Sequence, residues 1–309
     1  MVHRSPDILA NDGLQVAVDR TVKGDVSAPL MGWSKDEFAR IAHDHDLLIH
    51  CAATVRFDLA EQDYSAVNVA GTANALALAE AGAMDFLHVS TAYVCGARDG
   101  AIREGDPLPD AGFANGYEAS KAAGERLVRA SNLRWAIARP SVVVGEHETG
   151  VIRQFDTTYA AFKLIAEGRV RQMAARAGAT LDFVPIDYVA KGIVAIAGAM
   201  DRAAGGTFHL VSRQPLAVER FTGAIGAYQQ FNEPELVDPD SFDPASLPAL
   251  ERRLYRRVAG LYAAYFQRDP RFDDSAFRDL TGFGCPETGE AYIRRLIDHC
   301  IEVEFLPSA

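Results

Sequence analysis

"DLLIHCAA", residues 46–53, is the stretch whose reading decides the fold. Its apolar residues follow one another without the in–out alternation of a half-exposed strand. Such a run is buried on both faces, as in a parallel sheet. Three more runs share the habit: "DFLHVS" (85–90), "RWAIARPSVVVG" (134–145) and "TFHLVS" (207–212). Helical stretches separate them. Ser34 and Glu37 have capping-box spacing and open a helix running to about His45. Residues 58–82 are alanine-rich and predict a helix that Gly82 stops, and 117–131, 151–167 and 187–200 read likewise. Alternating strands and helices predict an α/β, doubly wound parallel sheet. Ligands of such sheets bind beyond the carboxyl ends of the strands, where "CAAT", "STAY" and "RPSVVVG" converge.

Past residue 230 the texture changes. "FNEPELVDPDSFDPASLP" (231–248) is rich in proline and acid and predicts an irregular connection. A helix with an apolar stripe at Leu247, Leu250, Leu254, Val258, Leu261 and Tyr265 follows, and a last helix spans roughly 287–303. The expected organisation is a doubly wound domain over 1–215 and a smaller, mostly helical region over 216–309. The chain has 309 residues, 49% hydrophobic and 24% charged, with net charge −11. That balance, with no basic tract among aromatics, argues against nucleic acid as a partner. No run reaches transmembrane length and none near the start resembles a signal peptide, so the expected location is cytoplasmic. Cys51, Cys95, Cys285 and Cys300 form no CxxC, and Cys51 and Cys95 are expected to be plain buried thiols.

"NGYEASKAAGERL" (115–127) carries the chemistry. Tyr117 and Lys121 are one helical turn apart on one face, and a phenol beside an ammonium is an acid–base pair. His50, inside an apolar strand, reads as a packed core histidine, and His43 and His45 as solvated residues at a helix end. Asn68 and Asp187 read as ties for loop backbone. No His, Cys or carboxylate group has metal-ligand spacing. No GxSxG elbow is present, and no histidine is placed beside Cys95 or Cys285, so nucleophilic hydrolysis is not expected.

The company of that pair carries a resemblance. A strand ending "HVST", then "AYVCG", the Tyr–Lys helix and "RPSVVVG" together resemble the extended short-chain dehydrogenase/reductase family. "GDVSAPLMGWS" (24–34), "LLIHCAATVRFD" (47–58), "VNVAGT" (67–72) and "LDFVPIDYVAKGI" (181–193) narrow it to the fatty acyl-CoA reductase and thioester reductase branch, the male-sterility type. The resemblance spans roughly residues 22 to 215. It implies that Tyr117 donates a proton to a carbonyl, and that Lys121 lowers the tyrosine pKa and bonds the nicotinamide ribose. It implies that the Thr91 hydroxyl holds the substrate oxygen. Asp25, followed by Val26, would meet the adenine amino group. Ala52 and Ala53 would let the backbone pass the cofactor, and Pro140, Ser141, Val142 and Val143 would lie against the nicotinamide. The bland readings are a strand-end hydroxyl for Thr91 and a turn residue for Asp25. The implied cofactor is NADP or NAD, with NADP favoured by the resemblance, and a homo-oligomer is compatible with it.

One expected part is missing. A dinucleotide site begins with a strand, a GxGxxG-type turn and a helix whose N-terminus holds the pyrophosphate. In this family that unit precedes "GDV", yet only 24 residues precede Asp25, with Gly13 and Gly24 among them. Thr222, Gly223 and Gly226 imitate TGxxG, but Gln229 stands at the third glycine position and no buried strand precedes them. Either the start lies downstream of the true one, omitting about 30 residues or more of a βαβ unit, or the chain is short and its cofactor function is lost or changed. The former is the expectation. Either way, weak dinucleotide binding and an unpaired sheet edge are expected.

The leading expectation is NAD(P)H-dependent reduction of an acyl thioester, on acyl-CoA or an acyl-carrier protein. The alternatives are another extended-family oxidoreductase, acting on a sterol-like alcohol or nucleotide sugar, and a non-catalytic relative that binds an acyl ligand or a partner. Arg252, Arg253, Arg256 and Arg257 read as a solvated helix face, with an acidic carrier or phosphate as the alternative. Tyr255, Tyr262 and Phe266 line an acyl tunnel or simply pack on the sheet.

Overall fold

The computed structural model describes residues 2–3, 21–155, 157–256 and 260–309. Ser34 accepts the Glu37 amide at 3.2 Å, so the capping box starts α1 (Lys35–His43) where its spacing predicts. The first buried run forms β1 (Leu47–His50). The alanine-rich stretch becomes a short helix at Glu61–Tyr64, a π turn at Ser65–Val69 and then α2 (Ala70–Gly82). Residues 58–60, expected to be helical, are not. An Arg56–Asp58 ion pair and the Tyr64 hydroxyl, bonded to the Arg56 carbonyl, hold that segment as loop.

Gly82 is the last helical residue rather than the stop, since Ala83 takes the left-handed conformation at φ 51°. The glycine serves close packing instead. A Cβ there would sit 2.0 Å from the Ala42 carbonyl oxygen on α1.

β2 (Asp85–Val89), α3 (Gly116–Ala130) and β3 (Trp135–Pro140) follow. "RWAIARPSVVVG" is therefore not one strand. It breaks at Ser141, whose hydroxyl turns onto Asp182, and continues as β4 (Val142–Val144) in another ladder. After α4 (Thr157–Ala166), β5 (Phe183–Pro185) pairs in parallel with β4. Then come α5 (Ile186–Ala197), β6 (Thr207–Leu210) and α6 (Val218–Gly226). Thr222, Gly223 and Gly226 lie inside α6, where Thr222 is buried and bonds the Glu219 carbonyl, so they form no phosphate turn.

The main sheet is parallel, in the order β6–β3–β2–β1, with Leu47 opposite Asp85, Val89 opposite Ala138 and Leu210 opposite Pro140. Its two faces carry different cores. Phe86 and Ile137 pack with Leu76, Leu78 and Ile41 from α2 and α1 on one side. Leu87, Ala136 and Ala138 pack with Val189 and Ile196 of α5 on the other. Helices on both faces give the doubly wound, Rossmann-like α/β fold that the alternation predicts. Among the described residues β1 pairs on one side only, and Ile49 is 40% exposed there.

The C-terminal region adds α7 (Gly260–Gln267), α8 (Ser275–Thr281) and α9 (Glu290–Glu302). A third core unites α4, α6, α7 and α9 with Tyr93, Leu181 and Phe183. The helix expected through 247–266 is described as two pieces, a short helix at Ala249–Leu254 and α7. Its buried stripe also differs. Leu247, Glu251 and Tyr255 face inward, because the Glu251 carboxylate accepts the Arg171 amide, and Leu250 is 71% exposed on the other side. Val258 and Arg257 fall outside the described residues. Arg253 and Arg256 are exposed, whereas Arg252 is half-buried and donates to the Ala245 carbonyl at 2.9 Å. Among the described residues no helix is long and apolar enough to cross a membrane.

Candidate active site

The carboxyl ends of β1, β2 and β3 deliver the candidate residues. Thr91, two residues beyond β2, is buried, and its hydroxyl caps the 3-10 turn Ala92–Cys95 by accepting the Tyr93 amide at 3.3 Å. α3 is held by reciprocal caps: Asn115 Oδ1 accepts the Glu118 amide at 3.0 Å, and the Glu118 carboxylate accepts the Ala114 amide at 3.0 Å. That fixes Tyr117 in the first turn, half-buried, its ring 5.7 Å from that of Phe57.

Lys121, one turn further, is 2% exposed and donates to the Val89 carbonyl at 2.6 Å. Burial pulls its pKa down to about 8, against the opposing pull of Glu125 and Cys51. His50 and His88 stack nearby, ring centroids 5.5 Å apart. Burial and the Lys121 charge keep both neutral, His50 near pKa 3 and His88 well below its ordinary value. His50 bonds the Thr72 hydroxyl at 3.1 Å, which is the packed core histidine expected. Cys51 departs from expectation. It is exposed, because β1 ends at His50 and the chain leaves the sheet there.

Thr91, Tyr117, Pro140, Ser141, Val142 and Val143 border one cavity of about 190 Å³. Away from them its wall is apolar: Phe57 and Val55 near the tyrosine, Phe162 and Ile165 from α4, Phe221 from α6, and Tyr262, Tyr265 and Phe266 from α7. Among the described residues no charged side chain lines it. Of the expected tunnel residues, Tyr262 and Phe266 reach this cavity. Tyr255 borders a separate, smaller one instead.

Ala52 and Ala53 lie on the loop after β1, exposed and half-buried respectively, and outside the cavity wall. Asp25 and Val26 are also outside it. Asp25 Oδ1 accepts the Ser27 amide and hydroxyl at 2.9 and 2.7 Å, a turn-forming arrangement, and Asn74 ties the Val26 carbonyl to α2 at 2.8 Å. Asn68 bonds both backbone groups of Thr54 and the Ser120 hydroxyl, and Asp187 accepts the His147 amide, so both tie loop backbone. Among the described residues no group of three His, Cys, Asp or Glu is placed to hold a metal.

Two features escape sequence reasoning. Asp182, buried under Ser141, accepts the Ser141 hydroxyl and the Ser212 amide, and burial raises its pKa to about 7. Glu118, beside Tyr117, is paired with Arg268 from the far end of the chain. An acidic residue inside "YEASK" is visible in the sequence, but nothing local names its partner.

A family model described as male sterility protein matches residues 15–193. The chain belongs to the male sterility protein family. It is 27% identical over 236 residues to the L-2-aminoadipate reductase large subunit of Penicillium chrysogenum, covering 70% of this chain and 16% of that one. With fatty acyl-CoA reductase 1 of Xenopus laevis it shares 28% over 208 residues, 57% of this chain and 40% of the relative. The solved terminal R domain of the myxalamid PKS-NRPS pathway is 27% identical with a TM-score of 0.81, covering 93% of this chain and 76% of that one. The male-sterility member described here thus spans well under half the length of those two curated relatives.

At the nicotinamide end, an ammonium has three N–H donors, and one of those on Lys121 meets Val89, which leaves two for other acceptors. Lys121 is itself 2% exposed and is not part of the cavity wall. For the pyrophosphate, the described residues offer no GxGxxG turn between a strand and a helix.

Proposed function

We propose that this member of the male sterility family is an NAD(P)H-dependent reductase of acyl thioesters, on acyl-CoA or a carrier protein. The observation that carries the reading is a cavity that joins Thr91, Tyr117 and the 140–143 wall to a deep, charge-free lining. An acyl chain is chemically matched to that lining, whereas a nucleotide sugar would bury polar groups there without partners. Fatty acyl-CoA reductase among the relatives supports the same choice.

In this reading the thioester carbonyl sits at the mouth of the cavity. The Thr91 hydroxyl donates to the carbonyl oxygen, and the Tyr117 hydroxyl supplies the proton as negative charge develops there. Lys121 lends positive charge to the tyrosine. Its burial strengthens that field, because little water screens it. Bound dinucleotide would supply the hydride. The resulting hemithioacetal then breaks its C–S bond, the hydroxyl proton passing to the leaving sulfur, to give the aldehyde and the free thiol of CoA or the carrier. Pro140 to Val143 give it a dry wall, with Ser141 clamped by Asp182. Asp25 and Val26 are proposed to meet the adenine of the same cofactor, and Ala52 and Ala53 to let the backbone pass it. NADPH is proposed over NADH from the resemblance alone, and a reducing, cytoplasmic setting is supported by four free cysteines. The division at residues 215 and 216 is kept as the proposed domain boundary.

The competing reading is acyl binding without redox chemistry. One experiment separates the two. The 309-residue protein is titrated with NADPH and NADH by calorimetry, then given decanoyl-CoA while cofactor absorbance and aldehyde are followed. Weak dinucleotide binding with aldehyde formation, the turnover lost by at least about a hundredfold in Y117F, is the expected result. Tight decanoyl-CoA binding without dinucleotide binding or turnover would replace it with the second reading.

A further inference from the structure

Arg268 follows α7 directly, and its side chain is buried against the start of the helix that carries Tyr117. Its guanidinium donates to the Gly96 carbonyl at 2.7 Å, at the end of the turn that begins with Thr91. It also pairs with the Glu118 carboxylate, next to Tyr117. Glu118 is fully buried and accepts in addition the Tyr265 hydroxyl at 2.8 Å and the Ala114 amide. The cation packs beside two aromatic rings that meet edge to face, 4.9 Å from the centroid of Tyr93 and 4.7 Å from that of Tyr265. Both rings border the cavity.

We propose that Arg268 is a positioning residue of the active site, setting the spacing between the Thr91 turn and the Tyr117 helix from the C-terminal region. Thr91 and Tyr117 belong to different elements, and their hydroxyls must converge on one carbonyl oxygen. A planar guanidinium can bond a carbonyl on one element and a carboxylate on the other at once. The two elements joined by that bridge are the ones carrying the proposed hydroxyls. Because Tyr93 and Tyr265 both pack against the same cation, the acyl wall and the hydroxyl pair share one anchor. Substrate covering and catalytic geometry are thereby linked through a residue that does not itself touch the substrate.

The role rests on the thioester reductase reading, so the test carries one readout that does not. Two variants are compared with wild type: R268K, which keeps the charge without the fork, and the neutral pair E118Q/R268M. The glutamine side chain still bonds the Ala114 amide and the Tyr265 hydroxyl, so the pair variant removes the ion pair without removing the helix cap. The expected result is a thermal midpoint close to wild type and kcat reduced about tenfold or more on both acetyl-CoA and decanoyl-CoA, with KM changed by less than about threefold. Wild-type kcat in R268K, or loss confined to KM for decanoyl-CoA, would overturn the proposal, since the bridge would then serve only packing. Amide exchange supplies the independent readout. In R268K, peptides covering 91–97 and 113–121 are expected to exchange together about tenfold faster. Unchanged protection in both segments would also overturn it. A wild type that turns over no thioester while R268K loosens both segments would sink the reductase reading and leave the bridge standing.

Discussion

Replacing Lys121 by methionine is expected to make the protein more stable and less active. The ammonium is 2% exposed, and its pKa falls from the ordinary 10.5 to about 8, chiefly through burial. At about 1.4 kcal/mol for each pH unit, holding that charge in the folded state costs roughly 3 kcal/mol at pH 7. The variant gives up the bond to the Val89 carbonyl, an offset of about 1–2 kcal/mol. Glu125 remains paired with Arg139 and Arg129, so no carboxylate is stranded. A net gain of about 1–2 kcal/mol at pH 7 follows. The sign with pH is fixed by linkage. The folded state releases its proton near pH 8 and the unfolded chain near 10.5, so wild type gains stability over that window. Urea unfolding at about pH 7.0 and 9.5 therefore reads two things: K121M is more stable at the lower value, and its advantage shrinks by about 2 kcal/mol at the higher. Reductase activity is lost at both values. A K121M protein less stable than wild type near neutral pH, or a gap indifferent to pH, would refute the reasoning from burial.

Three further outcomes follow from the same structure. I165W adds bulk to the apolar wall that α4 gives the cavity, so KM for decanoyl-CoA should rise about tenfold or more while acetyl-CoA turnover stays within about twofold of wild type. G82A places a methyl group 2.0 Å from the Ala42 carbonyl oxygen, and α1 must shift; a loss of about 1–3 kcal/mol in chemical denaturation is expected. Asp182 holds its proton up to about pH 7 in the folded state, so its contribution is full at acid pH and lost as pH rises from the ordinary carboxylate range through 7. D182N should therefore gain on wild type by up to about 4 kcal/mol between about pH 4 and pH 8, measured by urea unfolding at both ends.

What is legible in the sequence is what a single element decides. The runs at 85–90 and 207–212 are buried as their unbroken apolar character states, whereas the run at 46–53 has the same character but forms the sheet edge, where only His50 is buried and Ile49 and Cys51 are exposed. Tyr117 and Lys121 are legible for a similar reason, since four residues on a helix fix a shared face whatever surrounds it. Misreadings arise where a partner distant in sequence decides the local state. Ser141 leaves the main sheet because Asp182 takes its hydroxyl, and β4 pairs with β5 rather than extending β3. Leu250 is exposed because Glu251, bonded to the Arg171 amide, claims the inward face. Cys51 reads as a core thiol within an apolar run, but the strand stops one residue earlier. Glu118 shows the limit most clearly. Beside Tyr117 it reads as an ordinary first-turn acid, favourable at a helix N-terminus. Only the fold brings Arg268 to it across 150 residues and makes the same carboxylate a hinge point between the chemistry and the chain that covers the substrate.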